Sequence, residues 1–168
     1  PRDVGFTLTF GAGLGSPEPT DIENTDCLVL IGSHLGENMH NLQVQEFAKA
    51  VERRIPIIVV DPRFSVAASK AKYWLPIKPG TDLALLLAWM NVLVTEGRYD
   101  KGFVEKYGHG FDKFAAEVKA YTPEWAAGET GLDASLIRAT AREFANRRPA
   151  TIVHPGRRVN WYGDDTQR

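Results

Sequence analysis

The 168-residue sequence contains a single cysteine, Cys27, so it can form no internal disulfide and cannot by itself supply a thiolate-rich zinc or iron–sulfur site. Neither charge is in excess. Twenty Lys and Arg against 21 Asp and Glu leave a net charge of −1, which gives no basic field to attract phosphate backbones, and nucleic acid is not an expected partner. Long hydrophobic runs are missing as well. The most apolar stretch, residues 83–94, is interrupted by Asn91 and falls well short of the ~20 residues that cross a bilayer, so it reads as a buried helix. The chain shows no initiator methionine, basic leader or cleavage site, and the expectation is a segment of a longer polypeptide. His34, His40, His109 and His154 have no metal-ligand spacing, and no Ser-His-Asp order suggests a hydrolase.

With 43% hydrophobic and 24% charged residues, the composition is that of one folded domain spanning residues 1–168. Val4, Phe6, Leu8 and Phe10 alternate with Gly5, Thr7 and Thr9, which predicts a half-buried strand. The glycines at positions 11, 13 and 15 resemble a phosphate loop. Pro17 and Pro19 follow where a helix would have to begin, which favours an irregular loop. Cys27-Leu28-Val29-Leu30-Ile31 and Ile57-Ile58-Val59-Val60 are continuous apolar runs of the kind found in parallel strands covered on both faces. Between them, Val44, Phe47, Ala48, Val51 and Ile55 recur at helical spacing over residues 38–54. Strand, helix and strand in about thirty residues make a βαβ unit, so the predicted fold class is α/β: a Rossmann-like, open, mainly parallel sheet with helices on both faces and a helical insertion.

Further along, residues 65–72 suggest a short helix, and Trp74-Leu75-Pro76 suggests an edge strand, because its proline discourages central pairing. The long apolar helix begins at Thr81 or Asp82, either of which could cap it, and Gly97 ends it. Helices are also predicted at 101–107, 111–120, 123–127 and 133–145, with a last strand at 150–153.

In an open parallel sheet, ligands collect beyond the carboxyl ends of the strands. Four loops fall in such places. Gly32-Ser33-His34-Leu35-Gly36-Glu37-Asn38 leads from a strand into a helix, where backbone N–H groups and Ser33 can donate to a pyrophosphate. Asp61, in Asp61-Pro62-Arg63, stands where a carboxylate accepts from ribose hydroxyls, and Asp82, in Pro79-Gly80-Thr81-Asp82, can accept two hydrogen bonds from a guanine edge. The fourth loop is His154-Pro155-Gly156-Arg157-Arg158. Each alone could be an ordinary turn or cap; together they describe a nucleotide site. The first is G-x-x-x-G, without the G-x-G-x-x-G fingerprint, so an ordinary dehydrogenase domain is disfavoured.

As an ordered set, DCLVLIGSHLGEN (26–38), IIVVDPRFS (57–65) and LPIKPGTDLALLLA (75–88) resemble the nucleotide-binding domain of molybdopterin-dependent oxidoreductases that carry two molybdopterin guanine dinucleotides. YTPEWAAGETGL (121–132) is similar to the same family's helical stretch, and the resemblance runs from about Phe10 to the end of the chain. VHPGRRVNWYGDDTQR (153–168) resembles the branch holding polysulfide and thiosulfate reductase catalytic subunits, with arsenate reductases and sulfite-oxidising relatives as neighbours.

The resemblance implies that Gly32, Ser33, His34, Glu37 and Asn38 lie along the dinucleotide phosphates, with His34 standing where the family usually has Asn. It further implies that Asp61, Pro62 and Arg63 meet the nucleoside, that Gly80, Thr81 and Asp82 hold guanine, and that the loop with Gly156 and Arg157 approaches the molybdenum centre, Arg157 being a candidate substrate-binding catalytic residue. It implies bis-molybdopterin guanine dinucleotide with molybdenum as cofactor, and a [4Fe–4S] cluster held by the part of the subunit outside this sequence. Also implied are an iron–sulfur electron-transfer subunit and a membrane anchor as partners, an inorganic sulfur substrate, and a periplasmic, membrane-associated location. No residue here matches the family's metal ligand, so this segment alone is expected to be inactive. The rival expectation is a free-standing nucleotide-binding module without redox activity.

Overall fold

The computed structural model describes residues 2–11, 20–33, 35 and 41–156. Its centre is a parallel four-stranded sheet formed by β1 (Cys27–Ile31), β2 (Ile57–Val60), β3 (Tyr73–Leu75) and β4 (Thr151–Pro155), in the spatial order β3-β2-β1-β4. The α/β class is confirmed. Every residue of β1 and β2 is buried, as their unbroken apolar runs require when helices cover both faces. Residue alternation divides the core. Cys27, Val29, Ile31, Ile58 and Val60 pack with Leu85, Trp89, Val92, Ile137 and Ala141 from α3 (Asp82–Thr95) and α7 (Ala134–Asn146). Leu28, Leu30, Ile57 and Val59 pack on the other face with Ile22, Leu35 and, from α2 (Asn41–Glu52), Phe47 and Ala50.

The helical insertion between β3 and β4 runs through α3, α4 (Lys101–Tyr107), α5 (Phe111–Glu117), a 3-10 turn at Val118–Ala120, α6 (Pro123–Thr130) and α7. Its boundaries follow local chemistry. Asp100 accepts from the Phe103 N–H, Thr122 from the Trp125 N–H ahead of Pro123, and Asp133 from the Ser135 N–H, so three helices start on side-chain caps. Trp89 is fixed in the core by donating its indole N–H to Thr140 Oγ1 at 3.0 Å and by lying edge-on to Phe144.

Three predictions are corrected. The alternating N-terminal stretch is a helix, α1 (Arg2–Phe10), not a strand. It pairs with neither edge of the sheet, and α1 satisfies its backbone locally. Thr9 Oγ1 donates to the Gly5 carbonyl, and the helix stops at Gly11, in a left-handed conformation with its N–H on the Thr7 carbonyl. At the start of α3, Thr81 occupies the N-cap position but its hydroxyl donates backwards to the Lys78 carbonyl at 2.7 Å instead of capping. Around residues 65–72, the expected helix contracts to a 3-10 turn, Ala68–Lys70.

Candidate functional site

The strand order creates a switch point. The chain builds outwards from β1 through β2 to β3, then returns to place β4 on the opposite side of β1, so the strand order reverses between β1 and β4, and open sheets of this kind bind ligands beyond the carboxyl ends of such strands. Gly32 and Gly156 meet at the carboxyl edge. The Gly156 N–H donates to the Ile31 carbonyl at 2.6 Å, and a Cβ on Gly156 would stand 1.9 Å from Gly32 O, 2.5 Å from Gly32 C and 3.0 Å from Ser33 N. Only glycine at 156 permits this crossing of two backbones, and it sets Ser33, 5% exposed, beside the end of β4.

Asp61 follows β2 directly and is 5% exposed. Its N–H donates to the Leu75 carbonyl, its Oδ1 accepts from the Arg63 N–H at 2.8 Å, and its carbonyl accepts from the Trp74 indole N–H at 2.9 Å. Pro62 and Arg63 are exposed on the turn that follows. Gly80, at φ 84°, turns the chain into α3 and brings Asp82 into the same region.

Asp82 is 6% exposed, and its carboxylate accepts only from its own N–H among the described residues. Burial pushes its pKa up; its own backbone N–H opposes this, and the nearby negative charge of Asp61 adds to the rise. A buried carboxylate with spare acceptor capacity, raised in pKa by burial and a second carboxylate, is suited to a ligand that brings hydrogen-bond donors.

The structure therefore gathers Gly32, Ser33, Asp61, Pro62, Arg63, Gly80, Thr81, Asp82 and Gly156 along the carboxyl edge. His34, Glu37, Asn38 and Arg157 lie outside the described residues. Sequence reasoning missed Trp74, which it assigned only to an edge strand. A tryptophan there, whose ring nitrogen needs an acceptor when half-buried, was the available signal. Cys27 is fully buried and burial pushes its thiol up to about 12, with Glu143 adding to the rise, so it is no nucleophile. A shallow cleft of about 420 Å³ lies at the opposite, amino-terminal edge between Arg54, Lys70, Lys72 and Arg147, away from the residues of the carboxyl edge.

The molybdopterin oxidoreductase family matches residues 5–161, and the chain belongs to that family. It is 40% identical over 158 residues to the thiosulfate reductase molybdopterin-containing subunit PhsA of Salmonella typhimurium, covering 94% of this chain and 21% of that protein. It is 36% identical over 151 residues to the F420-dependent formate dehydrogenase subunit alpha of Methanocaldococcus jannaschii, covering 90% of this chain and 22% of that one. Among solved structures, acetylene hydratase from Pelobacter acetylenicus superposes with a TM-score of 0.81 at 34% identity, over 90% of this chain and 20% of the other. The chain thus spans about a fifth of the length of the relatives it matches.

Proposed function

We propose that this domain holds one guanine dinucleotide form of molybdopterin at the carboxyl edge of its sheet, within a molybdenum oxidoreductase that reduces thiosulfate or polysulfide. The observation that carries the cofactor reading is Asp82, a buried carboxylate with no donor from another described residue, set near Asp61 on the carboxyl side of β2 and β3. The guanine N1–H and exocyclic amine supply two parallel donors that a carboxylate accepts together, and this also offsets the cost of keeping the group buried. Asp61 would accept from the ribose, Gly80 and Thr81 would border the base, and the phosphates would lie against Ser33 beside the Gly32–Gly156 crossing, with His34, Glu37 and Asn38 following in the chain.

The cofactor, when bound, supplies the two-electron chemistry; the protein's part is to fix its orientation and exclude water. The 40% identity to a thiosulfate reductase subunit supports the sulfur substrate, and Arg157, next after Gly156, offers a planar fork of donors to an anionic substrate. In this reading the [4Fe–4S] cluster, the iron–sulfur and membrane-anchor partners and the periplasmic location belong to the complete enzyme.

The test is Asp82→Asn in the full-length enzyme, with guanine nucleotide released by acid hydrolysis as the readout. An amide cannot accept both guanine donors, and a charge-assisted hydrogen bond of this kind contributes ~1.5–3 kcal/mol, so dinucleotide retention should fall about tenfold or more. Unchanged nucleotide content would refute the assignment, and so would finding no guanine nucleotide in the wild-type protein. Turnover of thiosulfate and polysulfide by the same preparation tests the substrate.

A further inference from the structure

The peptide joining Asp61 to Pro62 has one hydrogen-bonding handle. Pro62 has no N–H, so the carbonyl of Asp61 alone can anchor that peptide plane, and the Trp74 indole N–H holds it at 2.9 Å. The neighbouring atoms of Asp61 are also tied, its N–H to the Leu75 carbonyl at 3.2 Å and its Oδ1 to the Arg63 N–H at 2.8 Å. Oδ2 accepts from none of the described residues and is the atom left over for a ligand. Trp74 is itself fixed twice. It sits opposite Val59 in the parallel β2–β3 pair, and Phe64 packs edge-on against its ring with centroids 4.9 Å apart and planes at 71°.

We propose that Trp74 is a positioning residue for the nucleoside: by pinning the Asp61 carbonyl, its indole N–H sets the carboxylate so that Oδ2 is presented to the ribose. This rests on the dinucleotide reading given above. Without the N–H, the Asp61–Pro62 peptide loses its anchor, the carbonyl of buried Asp61 is left unsatisfied, and the carboxylate, held among the described residues only by the Arg63 N–H of its own turn, shifts as that turn shifts.

The test uses the full-length holoenzyme and the rate at which guanine dinucleotide is lost on dialysis. Trp74→Phe keeps an aromatic ring but removes the donor. Replacing Trp74 with benzothienylalanine keeps the bicyclic shape and changes only the N–H, which preserves the test should the Phe variant fail to fold. Either is expected to speed cofactor loss roughly three- to tenfold, the effect of one neutral hydrogen bond. The deciding measurement is a double-mutant cycle with Asp61→Asn. If Trp74 acts through Asp61, removing its N–H in the Asp61→Asn background accelerates loss no further. Equal effects in both backgrounds would make Trp74 a general structural residue and overturn the proposal, as would an unchanged rate in the Trp74 variants. If Asp61→Asn itself leaves retention unchanged, the nucleoside role of Asp61 fails and the positioning role falls with it; loss in Asp61→Asn but not in the Trp74 variants removes the positioning role alone.

Discussion

Adding one methyl group at Gly156 should damage this domain more than truncating many larger side chains. In Gly156→Ala the new Cβ would lie 1.9 Å from Gly32 O, against an ordinary contact of 3.4 Å or more, so the two segments must part by about 1.5 Å. The three nearest atoms, Gly32 O, Gly32 C and Ser33 N, all belong to backbone, and no side chain can rotate aside. Separation also breaks the 2.6 Å hydrogen bond from the Gly156 N–H to the Ile31 carbonyl, which closes the end of the β1–β4 pair. A lost backbone hydrogen bond costs ~1 kcal/mol and forced overpacking ~1–3 kcal/mol, giving about 2–4 kcal/mol of destabilisation. Urea unfolding of the 168-residue chain would measure this, alongside guanine nucleotide content of the full-length enzyme. Gly128→Ala is the control: that glycine lies inside α6 with nothing within 4 Å of its would-be Cβ, so the same methyl should stabilise by roughly 0.5–1 kcal/mol. A Gly156→Ala protein as stable as wild type, with full cofactor content, would refute the close crossing of the two loops.

Four other outcomes are expected. Because Asp82 must be ionised to accept both guanine donors and its pKa in the free domain is raised, dinucleotide retention should weaken as pH falls through that raised value. In the cofactor-free domain the sign reverses and Asp82 costs stability as pH rises through it; Asp82→Asn should abolish both dependences in a pH series. Glu96 joins the end of α3 to α7 through Arg142 and also takes Arg98. These pairs lower its pKa from 4.5 to about 2, so its stabilisation is present above pH 4.5 and lost as pH falls towards 2. Glu96→Gln should cost about 1 kcal/mol in urea unfolding at neutral pH and nothing near pH 2. With its thiol raised to about 12, Cys27 should be only about one part in ten thousand thiolate at pH 8, and a disulfide reagent should label it after unfolding but not before. Arg157→Lys in the full enzyme should keep molybdenum content but reduce kcat/KM for the anionic substrate; wild-type kinetics would remove Arg157 from the substrate site.

Much of this arrangement is already written in short stretches of sequence. The runs at Cys27–Ile31 and Ile57–Val60 define their strands to the residue, because a strand buried on both faces needs an unbroken apolar run. The helix at Lys101–Tyr107 and those starting after Thr122 and Asp133 are set by caps and helical spacing, which act over three or four residues. The loops carrying Gly32, Asp61, Asp82 and Gly156 could likewise be found by their position after strands. The N-terminal alternation could not be read the same way: a two-residue period states which side chains differ, not whether a neighbouring strand exists, and residues 2–10 have none and coil into a helix.

Strand order, the meeting of Gly32 with Gly156 and the clasp of Trp74 on Asp61 belong to the tertiary structure. Asp61 and Trp74 are thirteen residues apart, and Gly32 and Gly156 are separated by α2, β2, β3 and the whole insertion. Contacts at such separations leave no local periodicity, because they are settled by which faces must be covered and by where the chain reverses. The sequence thus determined which residues could bind at a strand end, and packing decided which of them lie together along the carboxyl edge.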